Sequence, residues 1–446
     1  SFPFDRRLLE YEVEASRAHA RALQGAGTIS GEELASILFG LDAIREKALS
    51  DATFLEDGEA EDVHHFVEKA LVGIIGDAGY KLHSGRSRNE QIATDLRLYV
   101  RAAIDDLHQK LSELMDTCLT CAESAGEAAM PSYTHMQRAE PVLVAHWLLA
   151  YVEMFARDVE RLAEVRKRVN RCPLGSGAVA GTTLPLDRSG LATDLGFDGP
   201  TSNSIDATSD RDFALEFVNS LSIVGMHLSR WAEEMILFST EEFGFLRLPE
   251  AYSTGSSAMP QKKNPDLLEL VRGKAGRLVG HATALLVSTK GLPLAYNKDL
   301  QETQEPLFDA AATVLAVLPL LTGWLSTVEF NFERMQKAAE SGFMNAWAAA
   351  TYLVERGVPF RLAHEQVGKA VRFCLETGCE LRDLSLPQWQ TFNPLIEADL
   401  HPRLELGAVL AIHDVIGGTA PDRVKQAIAD ARRRVASMQG VAHAHA

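Results

Sequence analysis

Between Gln91 and Glu127 the chain reads Q-I-A-T-D-L-R-L-Y-V-R-A-A-I-D-D-L-H-Q-K-L-S-E-L-M-D-T-C-L-T-C-A-E-S-A-G-E. It has no proline, and no glycine before Gly126. Ile92, Leu96, Val100, Ile104, Leu107, Leu111, Leu114, Cys118 and Cys121 recur at threes and fours, the spacing of a single apolar stripe on a helix. A helix of this length has a long apolar stripe to bury. It requires partners of similar length.

Such partners are present. Pro141 to Asn170 repeats the pattern, and Pro141 suits a first helical turn. Thirty residues at this rise make a rod of about 45 Å. Asp210 to Glu242 gives a third run, and a fourth follows Pro265 to Lys290. Glu305 to Trp324 gives a fifth, interrupted by Pro319. Ala310 to Leu321 is apolar nearly all round, which places it in the middle of a bundle or at a subunit interface. No strand series and no repeat stands out. The expected fold is all-α, a bundle of long central helices, with domains at about 1–85, 86–338 and 339–446. The first boundary follows Tyr80 to Arg88, where the periodicity breaks. The second follows Glu340-Ser341-Gly342, beyond which helices shorten and Gly and Pro punctuate them.

Charge narrows the function. With 44 Lys+Arg against 61 Asp+Glu, the formal net charge is −17, which disfavours nucleic acid or an anionic membrane as the main partner. No run of 18 apolar residues occurs, so no spanning helix is expected. Five cysteines in 446 residues, and no apolar signal core from Ser1 to Arg7, suggest a reduced, cytoplasmic setting. Cys118-x-x-Cys121 lies inside a helical pattern without a second Cys or His pair, so packing is preferred to metal or redox chemistry. His64 and His65 follow two acids but have no second pair at ligand spacing, and no metal is expected. Gly175 to Gly181 lacks a preceding strand and reads as a turn, not a dinucleotide loop. His443-Ala444-His445 reads as a frayed tail.

Chemistry concentrates between the helices. Five segments are polar: 83–91 (H-S-G-R-S-R-N-E-Q), 132–138 (S-Y-T-H-M-Q-R), 202–212, 254–266 (T-G-S-S-A-M-P-Q-K-K-N-P-D) and 296–302 (Y-N-K-D-L-Q-E). The fourth can be neither helix interior nor strand, because Pro260 and Pro265 interrupt it and it has no alternation. Helix capping accounts for Ser, Thr, Asn and Asp in any one of them. Five such loops around one bundle point instead to a shared site for a dicarboxylate or another small polyanion, held by Arg and Lys.

Gly255 to Pro265 resembles the hallmark loop of the fumarase/aspartase superfamily, and its Q-K-K-N-P-D ending is similar to that of the argininosuccinate lyase family within it. H-S-G-R-S-R-N-E-Q at 83–91, Y-T-H-M-Q-R-A-E-P at 133–141, S-D-R-D at 209–212, G-L-P-L-A-Y-N-K-D-L-Q-E at 291–302 and G-V-P-F-R at 357–361 resemble that family too. The resemblance implies a homotetramer with a 20-helix core and active sites drawn from three subunits. It also implies cofactor-free, reversible β-elimination of argininosuccinate to arginine and fumarate, a step of arginine biosynthesis.

By the same resemblance Ser256 is the base. It must be activated by neighbouring positive charge and exclusion of water, with Lys262 the nearest candidate. Lys262 and Asn264 hold the developing aci-carboxylate. His135 is the acid or proton relay, oriented by Glu269. Ser1, Asn89, Thr134, Tyr296 and Gln301 match substrate-binding positions. Arg88, Arg211, Lys298, His64 and Asp62 match other polar residues of the site. Two departures stand out. A lysine that contacts a substrate carboxylate in the family is Gln304 here, the loss of a charge-assisted contact worth about 1.5–3 kcal/mol. The acid of the family's A-T-D-x-A helix is Ala348. Two rival readings are a lyase acting on another succinyl adduct and a catalytically silent scaffold of the same fold. The joint presence of Ser256, His135, Lys262 and Glu269 argues against the scaffold.

Overall fold

The computed structural model describes residues 1–56 and 59–443. Of the tail reading at His443-Ala444-His445, residues 444 and 445 fall outside them. The N-terminal region contributes helices α1 (Leu9–Gly25), α2 (Gly31–Ser50) and α3 (Val63–Ile75). A capping box starts α2: the Glu33 amide donates to Ser30 Oγ (3.2 Å), and the Ser30 amide donates to the Glu33 carboxylate (2.9 Å). Asp62 caps α3 by accepting from the His65 amide at 2.7 Å.

The long stripe forms α4 (Arg88–Ala125), and its apolar positions from Ile92 to Cys118 are buried. A hairpin follows, β1 (Ala129–Thr134) against β2 (Gln137–Leu143), and then α5 (Val144–Val169). The second helix therefore begins three residues after Pro141, which pairs with Pro131 in the hairpin instead of opening the helix. Each strand of a two-stranded ribbon has a free edge, so a residue without an N–H is tolerated there.

The later long helices are α6 (Asp212–Phe238), α7 (Asp266–Thr289) and α8 (Gln304–Thr327). Pro319 lies inside α8 without interrupting it, a second difference from the sequence expectation. Its ring removes one intrahelical hydrogen bond, but buried Leu318, Leu321 and Trp324 hold the helix by packing. The helical stretch Lys298–Thr327 contains an 18-residue window apolar enough to cross a bilayer by composition alone (mean hydropathy 1.6), but 56% of that window is buried within the protein, as in a core helix. Shorter elements follow, among them α9 (Phe332–Ala339), α10 (Ala346–Glu355) and α11 (Phe360–Thr377). Gly378, at φ +71°, ends α11 in the left-handed conformation. The chain closes with α12 (Pro421–His443). The class is all-α: the strands of the described residues form three two-stranded pairs.

Contacts gather the chain into two interleaved units. The first comprises Ser1–His108, Asp158–Met226 and Gly273–Val317. Ala15, Ala18, Leu98, Cys172, Leu174 and Leu191 form one of its cores. The second comprises Gln109–Arg157, His227–Arg272 and Leu318–Ala446. One of its cores gathers Tyr352, Leu353, Val367, Cys374 and Trp389.

Candidate active site

The first unit contains a cavity of about 130 Å³ lined by Ser1, Asp5, Glu61, Asp62, His64, Arg88, Asn89, Ile92, Tyr296, Lys298, Gln301 and Gln304. Eight of the ten expected binding positions meet in it. Local structure explains the convergence. The cap of α3 places Asp62 and His64, the first turn of α4 places Arg88 and Asn89, and a 3-10 turn at Lys298–Thr303 places Lys298 and Gln301. Asp5 ties the N-terminal segment to this wall by accepting from the Val63 amide (3.1 Å) and from Ser1 Oγ (2.6 Å).

The wall carries both signs of charge. Arg88 reaches Glu61 at 3.0 Å and Asp62 at 3.6 Å, and Lys298 stands 3.9 Å from Glu61. Burial raises the Asp5 pKa, and the Ser1 hydroxyl partly offsets the rise. Burial also raises that of Tyr296, against the opposing pull of Arg211. Gln304 is 4% exposed, and its Oε1 has no partner among the described residues. Arg211 differs from expectation. It does not line the cavity and is buried, donating to its neighbour's carbonyl, Asp210 O, at 2.7 Å. Burial lowers its pKa to about 10.

Beneath the cavity lies a group of residues that the motif reading passed over. The buried Glu12 carboxylate accepts from Ser16 Oγ (2.7 Å), Gln91 Nε2 (3.1 Å) and His64 Nδ1 (2.8 Å), with Arg86 at 3.7 Å. Burial works against its charge, but His64 and Arg86 outweigh it and bring the pKa down to about 2. Asp95, fully buried beside it, is pushed the other way by burial and by Glu12. Glu12, His64 and Asp95 also have the donor types of a metal site. The guanidinium beside Glu12 argues against a cation there. A signal was available in the sequence: Glu12 and Ser16 fall on the same helical face as Leu9 and Leu23.

The expected catalytic group, with Thr134, lies in the second unit. The 254–266 segment is a small hairpin in which Thr254 pairs with Asn264 and Gly255 with Lys263. The sequence reading excluded a strand here for want of alternation, but two-residue strands, held by backbone pairing alone, give the loop a fixed base. The amides of Ala258 and Met259 donate to Ser256 Oγ at 3.2 and 3.1 Å, and the Ser256 amide donates to Lys262 O at 3.3 Å. Two backbone donors on one hydroxyl oxygen favour negative charge on it. The Lys262 side chain is exposed.

His135 and Met136 form the tip of the β1–β2 hairpin, with Thr134 paired to Gln137. Both have positive φ, +54° and +57°, a type I′ geometry that favours Gly, Asn or Asp. Non-glycine residues held there mark strain characteristic of functional sites. Glu269 sits in the first turn of α7, 3.9 Å from Arg272. Among the described residues of one chain, no hydrogen bond or ion pair joins it to His135.

The residues at 1–280 match a family model described as Lyase, and 343–411 match one described as Argininosuccinate lyase C-terminal. An argininosuccinate lyase of Koribacter versatilis (strain Ellin345) is 58% identical over 446 residues, 100% of this chain and 96% of that one. The argininosuccinate lyase of Acidobacterium capsulatum is 53% identical, over 98% and 91% of the two chains. Among solved structures, a variant of EDDS lyase with bound fumarate has a TM-score of 0.90 at 29% identity, covering 99% of this chain and 89% of that one. A 3-carboxy-cis,cis-muconate lactonizing enzyme from Pseudomonas putida, at TM-score 0.77 and 23% identity, shares the fold. With two family models matched and similarity to curated relatives along its whole length, the chain belongs to the argininosuccinate lyase family, lyases of the fumarase/aspartase superfamily.

Proposed function

We propose that the protein cleaves argininosuccinate reversibly to L-arginine and fumarate, without a cofactor, in arginine biosynthesis in the cytoplasm. Ser256 Oγ, as the alkoxide, takes a proton from the carbon beside a succinyl carboxylate. The electron pair moves into that carboxylate, giving an aci-carboxylate held by Lys262 and Asn264. Its collapse forms the fumarate double bond and breaks the bond to the guanidino nitrogen, which His135 protonates. Ser1, Asp62, His64, Arg88, Asn89, Tyr296, Lys298 and Gln301 bind substrate in the cavity of the first unit. Thr134 joins from the hairpin, and Arg211 acts through its charge on Tyr296.

The observation that carries this reading is the state of Ser256. Its oxygen already accepts two backbone amides, which provides the alkoxide with stabilisation that a free serine lacks. The reading includes a homotetramer with a 20-helix core, in which Glu269 of one subunit meets His135 of another and each site draws on three subunits. The exposed Leu270, Val279, Leu286, Val287 and Leu320 on α7 and α8 support an association through these helices. Three consecutive domains, 1–85, 86–338 and 339–446, are proposed along the chain.

The test follows fumarate absorbance. Wild type should release fumarate from argininosuccinate. Ser256→Ala should lose activity by about three orders of magnitude or more, while assembling at the same mass, four times 48.8 kDa. Wild-type turnover in that variant would remove Ser256 from the role of base. The likeness to EDDS lyase supports one second reading, a fumarate-releasing lyase for another succinyl adduct. Release of fumarate only from such an adduct would establish it.

A further inference from the structure

We infer that Glu90 is a positioning residue that ties the first turn of α4 to the glycine-rich segment 175–181. Arg88 and Asn89 line the cavity from that turn, so a segment outside the cavity sets the aim of two side chains within it. The tether is independent of the lyase reading, and only the meeting of Arg88 and Asn89 with substrate rests on it. Glu90 is fully buried. One of its carboxylate oxygens accepts from the Ser87 amide at 3.0 Å, and the other accepts from the Gly177 amide at 2.9 Å.

The first bond is half of a capping box, and Ser87 Oγ in turn accepts from the Asn89 amide at 3.3 Å. Glu90 therefore fixes the residue from which the turn carrying Arg88 and Asn89 starts. The second bond reaches 87 residues along the chain, into a segment closed on itself. There the Gly181 amide donates to Ser176 O at 2.9 Å, and the Thr182 amide to Gly175 O at 3.0 Å. Gly177 has φ +59°, and a Cβ on it would lie 3.0 Å from Gly181 O. The same segment backs the approach to α4: a Cβ on Gly85 would lie 2.6 Å from Leu184 Cδ1 and 2.9 Å from Thr182 Oγ1. Burial pushes the Glu90 pKa up, and the amides of Ser87, Gly177 and Gly175 draw it back. Without this carboxylate the Ser87 and Gly177 amides lose their acceptor.

The test follows cleavage of argininosuccinate by wild type, Glu90→Ala, Gly177→Ala and the double variant. Gly177→Ala alters neither α4 nor the cavity wall, but a Cβ at this positive φ displaces the amide from Glu90. Each single variant should raise KM about tenfold, because a freer turn holds Arg88 and Asn89 in the binding geometry in a smaller fraction of molecules. The kcat should stay within about threefold, since Ser256 and His135 lie in the second unit. The double variant should be no worse than the worse single variant, because both break the same bond. Amide hydrogen exchange should quicken in peptides covering Ser87 and Gly177 of Glu90→Ala.

An unchanged KM in folded, assembled Glu90→Ala, a tenfold fall in kcat, an additive double variant or unchanged exchange would each overturn the inference. A merely structural role would lower thermal stability and leave KM as it is. Should Glu90→Ala not assemble, Glu90→Gln is read by the same criteria. It keeps one accepting oxygen and turns an NH2 group toward the other amide. A wild type that does not cleave argininosuccinate would overturn the lyase reading. Hydrogen exchange would still judge the tether at Glu90.

Discussion

Gln304 shows how one side chain changes a binding surface without changing its shape. It is buried against the cavity, and it carries an amide where the sequence resemblance leads one to expect an ammonium group. Gln304→Lys should lower KM for argininosuccinate by about tenfold, by adding one charge-assisted contact, and should make that KM more sensitive to salt. Steady-state kinetics at two ionic strengths measures both effects. An unchanged KM would place the substrate carboxylates away from this wall. At this scale the motifs were informative in part: Asn89, Tyr296 and Gln301 are named by their neighbours and do line the cavity, whereas Arg211 and Thr134, also named by motifs, do not. The sequence was silent on Asp95, whose pKa is pushed up by burial and by Glu12, some eighty residues earlier in the chain.

The elements divide in the same way. Helix α4 was legible because a period of 3.6 residues over ten turns has no other explanation. The β1–β2 hairpin was not, because it has no alternation and its turn is His135-Met136 where Asn-Gly would be the usual signal. Pro141 fits a first helical turn and an edge strand equally well, and only pairing with Pro131 separates the two. The strain in this turn has a measurable counterpart. Met136→Gly should stabilise the fold by about 1 kcal/mol by relieving one left-handed non-glycine residue. It should also lower kcat, because the turn that aims His135 becomes freer. Thermal unfolding and fumarate release together report this. A more stable variant with undiminished kcat would show that the strain has no part in placing the imidazole.

At the scale of the whole molecule, the candidate residues are partitioned. The cavity belongs to the first unit, whereas Ser256, Lys262, Asn264, His135 and Glu269 belong to the second. If the site is assembled across subunits as proposed, two inactive variants with lesions in different units should complement each other. Ser256→Ala and Asn89→Ala, mixed, dissociated and reassembled, should regain up to about a quarter of wild-type activity, as random mixing restores intact sites in some tetramers. Activity no higher than either parent would confine each site to one chain. The pattern of long helices was legible in the sequence, whereas the way contacts group them was not. Apolar periodicity shows that a helix has a buried face without naming the partner it is buried against.

The interleaving of the two units also constrains the order in which the chain can be completed. The first unit takes its final segment from Gly273–Val317, and the second takes its own from Leu318 onward. A nascent polypeptide emerging from the ribosome therefore has long apolar rods exposed well before their last neighbours have been synthesised. Protection by chaperones during translation, and a low tolerance for truncation before residue 317, follow from this arrangement.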